Sequence, residues 1–200
     1  MTAPVVVLVE EPSIRIVIEA ICGKLGASDL VRILEHEGKS DLERSIARKI
    51  NGWRSPVLPY FIVSRDLDAS ERQALRTRLL ALVPPHALGR TKVRVIVPEL
   101  ESWYLGDPAA LVAAGVITPA AAQRITAQAK FRDLCTLTGA KAEFRKIVGQ
   151  PIGQIRTAHL LGAHLDLERN NCRNFHAFVE ALRWAIHGVT AELGRVEEGG

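Results

Sequence analysis

The sequence predicts an α/β fold: a doubly wound parallel sheet of about four strands with a helical C-terminal half packed on it. Three observations predict the architecture. Apolar runs that suit strands alternate with helical patterns as far as Val97, and this order favours a parallel sheet. No convincing strand pattern follows Pro98. Three of the apolar runs also end in carboxylates. The run at 5–9 leads into Glu10 and Glu11, the run at 60–63 into Asp66 and Asp68, and the run at 93–97 into Glu99 and Glu101. In a parallel sheet such ends share one edge, and ligands bind in the crevice there.

Each element has a local reason. Residues 5–9 form the first strand. Pro12 suits the first turn of the helix that follows, and Ile14, Val17, Ile18, Ile21 and Leu25 recur at helical spacing as a core-facing stripe. Gly23 weakens this helix and Gly26 can end it. Residues 30–34 read as a second strand and 36–39 as a loop. Ser40 or Asp41 caps a helix through Ile50, closed by Asn51 and Gly52. The third strand is 58–63. Ser70 caps a helix over 71–83, ended by Pro84 and Pro85, and the fourth strand is 92–97. Helical patterns then cover 100–105, 108–114, 119–130, 140–148, 154–165 and 175–193. The element type changes near Gly106. The chain is therefore divided into an α/β core, 1–106, and a helical extension, 107–200, of the same compact unit, with 197–200 a frayed tail. Leu111, Val112, Ile125, Leu134, Phe144, Leu160, Leu161, Phe175, Phe178 and Leu182 are the expected buried contacts of the second half.

Composition narrows the function. Two hundred residues, 48% apolar and 24% charged, suffice for one compact unit with a core. A net charge of +4 is compatible with a polyanionic partner. With only 5% aromatic residues, a stacking platform for single strands is not expected. Arg44, Arg48, Lys49, Arg54, Arg72, Arg76 and Arg78 are scattered and read as solvated helix faces. No apolar run is long enough for a membrane span, and the N-terminus does not read as a signal peptide. Cys22, Cys135 and Cys172 are widely spaced and odd in number, which suggests reduced thiols in a cytoplasm and no zinc site.

The carboxylates carry the chemistry. Asp66 and Asp68 share a face if they lie in a strand, and from a loop both can reach one cation. Glu10 is held further in than Glu11, which suits a first-turn acid stabilised by the helix dipole. Glu99 and Glu101 point to different faces of a helix starting there, so one can enter the crevice while the other faces solvent. Glu10, Asp66, Asp68, Glu99 and Glu101 together form a set of hard oxygen ligands of the kind Mg²⁺ or Mn²⁺ takes up. Lys39, just past the second strand, can meet a phosphate or developing charge, and no Walker-type glycine stretch surrounds it. The plainer readings are that Asp68 caps a helix, Asp66 is merely exposed and Lys39 is a surface lysine. His159 and His164 are five apart, a poor spacing for one helical face. Trp103 and Tyr104 read as packing residues, and no Ser/His/Asp constellation with a nucleophile turn is present.

Four stretches in this order resemble a known family: Val9 to Ser13, Glu37 to Leu42, Arg65 to Asp68, and Glu99-Leu-Glu-Ser-Trp-Tyr-Leu-Gly-Asp107, followed by Asn170 to Phe178. They resemble an uncharacterised prokaryotic Toprim-related family, akin to nucleases of the overcoming-lysogenization-defect type, over nearly the whole chain. The resemblance implies a glutamate after the first strand, matched by Glu10, and a D-x-D after a later strand, matched by Asp66 and Asp68. Glu99 or Glu101 matches the acid cluster of the fourth strand. It also implies Mg²⁺, a nucleic-acid substrate, an ATPase encoded nearby and a role in phage defence. One departure stands out: relatives are expected to carry a lysine near residues 151–156, where this chain has Pro-Ile-Gly-Gln-Ile-Arg.

The favoured reading is a metal-dependent phosphodiesterase on DNA or RNA, with Glu10, Asp66, Asp68 and Glu99 holding metal and Lys39 at the phosphate. The second is a non-catalytic Toprim-like subunit that binds a nucleotide, a nucleic acid or an ATPase. A flavodoxin-like regulator would need a fifth strand, which the sequence does not offer.

Overall fold

The structure is a computed structural model, and it describes residues 4–54, 57–68, 70–149 and 152–197. Pro151 and the tail at 198–200 lie outside the described residues. Four strands, β1 (Val5–Val9), β2 (Val31–Glu35), β3 (Tyr60–Asp66) and β4 (Thr91–Ile96), form one sheet in the order β2-β1-β3-β4. All three pairings are parallel. The central strand β1 is buried along its whole length, as a parallel strand covered on both faces must be.

Side-chain alternation along the strands builds two cores. Val5, Val7, Val9, Ile62 and Ile96 face α1 (Pro12–Lys24), α8 (Gln154–Gly162) and α9 (Arg173–Glu197). Val6, Leu8, Phe61, Val63, Val93 and Val95 face α2 (Lys39–Asn51) and α3 (Arg72–Ala81). The first core runs on without a break into α4 (Glu101–Leu105), α5 (Pro108–Ala113), α6 (Pro119–Ala127) and α7 (Ala140–Val148). Of the ten residues expected to be buried in the second half, only Val112 and Leu160 are half-buried rather than buried. No helix among the described residues is long and apolar enough to cross a membrane.

Several boundaries differ from the sequence reading, each for a local reason. β3 extends to Asp66, because Arg65 and Asp66 still pair with Val95 and Ile96. Asp66 is therefore the last strand residue rather than part of a loop. β2 is shifted by one residue, from 30–34 to Val31–Glu35. Helix α2 is capped at Gly38, not at Ser40 or Asp41, so Lys39 opens the helix instead of ending a loop. The Asp41 carboxylate reaches back to accept from the Glu37 N–H. Helix α3 is capped by Glu71, whose carboxylate accepts from the N–H groups of Gln73 and Ala74, so Ser70 is not the cap. Two helices stop early: α6 ends at Ala127, before a short 3₁₀ turn at Ala129–Phe131, and α8 ends at Gly162.

The two most distinctive sequence stretches dock on each other. Asn174, buried in the first turn of α9, accepts from the Val97 N–H and the Trp103 indole N–H and donates to the Val95 carbonyl. Asn170 donates to the Trp103 carbonyl and accepts from the Cys172 N–H. Asp107 accepts from the Ala110 and Asp166 N–H groups and takes both arms of Arg169. At Gly106 a Cβ would lie 2.2 Å from the Asn170 side-chain oxygen and 2.9 Å from the Cys172 Cβ, so only glycine permits this approach. Trp103 meets Phe175 edge to face and Phe178 at a tilt in the same seam. The expected outcome of Asn174→Ala is a loss of roughly 3 kcal/mol of stability, because three buried polar groups lose their partner. Urea unfolding measures it, and a change within experimental error would refute the assignment of Asn174 as the clamp.

Candidate functional site

The C-terminal ends of β1 and β3 lie side by side at the centre of the sheet. This is the topological switch point, since the chain proceeds outward from it in both directions. Glu10 follows β1, Asp66 ends β3, and Glu101 opens α4 just beyond β4. Alternation along β3 sends Arg65 and Asp66 to opposite faces. The carboxylates at this edge divide accordingly into two groups.

On the α2/α3 face the buried Arg65, 1% exposed, gathers acids around its guanidinium. It donates to Glu43 at 2.7 Å and to Asp68 at 3.0 Å, and its Nε lies 3.7 Å from Glu10. Arg78 adds a second bond to Glu43, and Lys39 lies 3.6 Å from Asp68 on the exposed rim. Asp68 has φ +52, a left-handed conformation that turns its carboxylate toward these cations. Asp66 and Asp68 therefore do not share a face, although they are only two residues apart.

On the α1/α4 face the acids have no such cation. The Asp66 Oδ1 is buried with no hydrogen-bond partner, and so are the Glu10 Oε2 and the Tyr104 hydroxyl. Burial first, then the charges of Glu11, Glu10, Glu101 and Asp68, hold the Asp66 carboxyl well above its ordinary value. Burial also raises Glu10, against the opposing pull of Arg65. Glu101 is raised by burial, with Lys141 pulling the other way and Glu99 and Glu11 adding to the rise. Burial followed by Glu101, Asp66 and Glu11 pushes the Tyr104 phenol up. A cavity of about 30 Å³ lies alongside, lined by Glu11, Glu101, Tyr104, Lys141, Arg145 and Gln154 among others.

The five acids expected to hold metal thus have different placements. Glu10, Glu101 and Asp68 each act on Asp66, Asp68 is also bound to Arg65, and Glu99 is engaged elsewhere. The Glu99 Oε2 accepts the Lys141 N–H at 2.9 Å and so caps α7. Glu11, read from sequence as a first-turn acid, stands among the groups that raise Asp66. Sequence reading also passed over Arg65 and His36. A buried arginine inside a strand, flanked by acids, was the available signal for the first. His36 hydrogen-bonds the Val9 carbonyl through Nδ1, and its Nε2 is buried without a partner. It lines an open acidic crevice of about 750 Å³ with Glu10, Glu35, Glu37 and Asp41. In the stretch where a lysine was expected, Gln154 reaches the small cavity and Arg156 is exposed.

The donor set suits a hard divalent cation. Two carboxylate oxygens, on Glu10 and Asp66, are buried and unpartnered, and the surrounding acids repel one another. Among the described residues no three His, Cys, Asp or Glu side chains converge on one ion-sized point. Mg²⁺ asks for less, since it usually keeps several waters and takes one or two carboxylates plus substrate oxygens.

Comparisons with known proteins follow the same line. No protein-family model matches the chain, and no curated protein matches it by sequence. Its structure is similar to the C-terminal region of the OLD protein of Xanthomonas campestris pv. campestris. That match has a TM-score of 0.55 and 15% identity, over 96% of this chain and 97% of that one. It is also similar to the C-terminal region of the Burkholderia pseudomallei OLD protein. There the TM-score is 0.50 with 18% identity, over 90% of this chain and 100% of that one. The fold is that of OLD C-terminal regions. The likeness spans the helical second half as well as the sheet.

Two outcomes follow from the electrostatics. A carboxyl raised in the folded state is protonated there while its unfolded counterpart is already ionised, so folding takes up protons and stability falls as pH rises through that window. Metal-free protein is therefore expected to lose stability from about pH 5 upward, and Asp66→Asn is expected to flatten the slope. Carboxylates held low, such as Asp41, Glu71 and Asp133, finish titrating below this window and do not mask it. Urea midpoints against pH in a chelating buffer check this, and parallel curves for the two proteins would contradict it. Arg65→Met is expected to cost about 3 kcal/mol, the low end for a broken buried ion pair because Asp68 and Glu43 are partly solvated. Equilibrium unfolding of that variant measures the cost.

Proposed function

We propose that this chain is a metal-dependent phosphodiesterase acting on nucleic acid, with its site at the β1/β3 switch point. The observation that carries the reading is the buried, unpartnered oxygen of Asp66, beside a Glu10 oxygen that has no hydrogen bond and only a 3.7 Å ion pair with Arg65, in a cluster whose acids raise the Asp66 pKa. Such a cluster is costly by itself and is relieved by a divalent cation. The resemblance to Toprim nucleases and the OLD-like fold support it.

In this reading Glu10 and Asp66 hold Mg²⁺ or Mn²⁺, with Glu101 and Asp68 completing the charge around it. A metal bound there supplies a water of lowered pKa and neutralises charge at a phosphate. Arg65 fixes Glu10 and Asp68 in place, so these carboxylates do not have to be ordered at the moment of reaction. Lys39, exposed beside Asp68, meets the non-bridging oxygens of the substrate. Glu99 contributes indirectly, by anchoring α7 and with it Lys141, whose charge acts on Glu101. An ATPase partner and a role in phage defence belong to the same proposal, on the strength of the sequence resemblance.

A nuclease assay with Mg²⁺ or Mn²⁺ tests the reading, with an ATPase partner added in a parallel series. Asp66→Ala is expected to reduce cleavage by at least about a hundredfold, the loss that accompanies removal of one electrostatic catalytic group. It should leave the fold intact and abolish the rise in melting temperature that Mn²⁺ gives the wild type. If neither protein cleaves and neither is stabilised by Mn²⁺ with an oligonucleotide present, the non-catalytic subunit becomes the better account.

A further inference from the structure

One surface beside the site is built for repulsion unless something anionic covers it. Helix α3 begins immediately after the Asp68 turn, so its first residues lie at the same edge of the sheet as Glu10 and Asp66. Arg72 opens that helix and Arg76 follows one turn later on the same side. Both side chains are exposed. A cation in the first turn is opposed by the helix dipole, whose positive end lies there, so Arg72 does not serve α3 itself.

Helix α3 packs over β4, the edge strand of the sheet. From that strand Arg94 donates through Nε to the Ala177 carbonyl at 2.9 Å and through Nη1 to the Val93 carbonyl. Its charge is left for whatever lies outside. None of Arg72, Arg76 and Arg94 makes an ion pair among the described residues, whereas Arg15, Arg65, Arg78, Arg90, Arg169, Arg173 and Arg183 all do. By alternation Arg94 projects from the α9 face of β4 while Arg72 and Arg76 ride on α3 over the other face, so the three flank the exposed edge of that strand; after burial, the charges of Arg76 and Arg72 hold the Arg94 pKa below the ordinary arginine value. Lys92 continues the patch along the strand and rests over the Trp184 ring. The acid nearest to it, Glu180, is already bound to Arg183.

We propose that Arg72, Arg76 and Arg94 form a track for the sugar–phosphate backbone of a nucleic-acid strand entering the β1/β3 site over the edge of β4. The inference rests on the phosphodiesterase reading and deepens it, because a track of this kind selects a polymer over a mononucleotide. The match is one of charge. Unpaired guanidinium groups along one edge bind phosphates and release counterions, without reading bases. The low aromatic content fits backbone contacts rather than base stacking.

The test measures anisotropy of a fluorescein-labelled oligonucleotide in a chelating buffer, at several salt concentrations, with full-length protein. Single-stranded DNA, duplex DNA and RNA are compared. The triple substitution Arg72→Gln, Arg76→Gln, Arg94→Gln is expected to weaken binding at least tenfold at low salt. It should also shallow the slope of log K against log salt by about two to three. Arg72→Gln with Arg76→Gln, which spares the Arg94 backbone contacts, should give a smaller loss in the same direction and covers the case in which the triple variant is unstable. Hydrolysis of bis-p-nitrophenyl phosphate with Mn²⁺ should be unchanged in the double variant, since that small diester does not reach the track. Asp66→Asn should show the opposite pattern, with binding kept and hydrolysis lost. Unchanged affinity and slope in both arginine variants would overturn the track, as would poly-glutamate competing as well as DNA per unit charge. Loss of the Asp66 effect alone would overturn the phosphodiesterase reading and leave the track standing.

Discussion

The side chain of Asn174 is the constraint on which the site depends. A parallel strand that ends at an open edge leaves unpaired backbone groups, and β4 must end there for the chain to turn into α4. Asn174 takes up the Val97 N–H and the Val95 carbonyl on either side of that end, and with the same oxygen it accepts the Trp103 indole. One buried amide thereby fixes the exit of β4 and the orientation of α4 together. Glu101, at the start of α4, is carried into the acid cluster as a result. The adjoining bonds of Asn170, Asp107 and Gly106 serve the same seam. The Glu-Leu-Glu-Ser-Trp-Tyr-Leu-Gly-Asp stretch is thus chiefly a latch, with one acid at its front for the site.

Around that latch, charge is distributed unequally across the sheet. On one face a buried arginine satisfies Glu43 and Asp68 and draws Glu10 toward it. On the other, Asp66, Glu11 and Glu101 lie near one another and the Tyr104 hydroxyl with no buried arginine among them, and Lys141 acts only on Glu101. Neutralising the first group makes the crevice foldable, since an entirely acidic edge would repel itself. Leaving the second group without a partner gives the edge its capacity to bind. Glu10 stands between them and feels both, which is why burial and Arg65 act on it in opposite directions.

The same division organises the approach to the site. Cations that fold the molecule are bound to carboxylates, as at Arg65, Arg78 and Arg169. Arg72 and Arg76 of α3 and Arg94 of β4 are not, and in the proposed reading they lie on the side where a long substrate enters. A net charge of +4 spread evenly would say little; its placement next to an acidic edge sets unpaired cations beside a cluster of carboxylates, the arrangement on which the proposed function rests.

Much of this was legible in the chain itself. Continuous apolar runs and the helical stripes between them determined a parallel α/β sheet, because burial on both faces, as in β1, demands continuous apolar sequence. That acids follow three strands was equally plain, and topology alone brings such positions to one edge. Expected burial in the second half was also readable, since apolar residues at helical spacing have nowhere else to go. What only the tertiary structure decided was direction. Extending β3 by pairing with Val95 and Ile96 put Arg65 and Asp66 on opposite faces, and a left-handed turn at Asp68 sent it to the arginine. Glu99 went to cap α7 and Glu101 turned inward, a choice set by Asn174 more than seventy residues away. A sequence records which groups are available at an edge; which of them meet is settled by packing between segments distant in the chain.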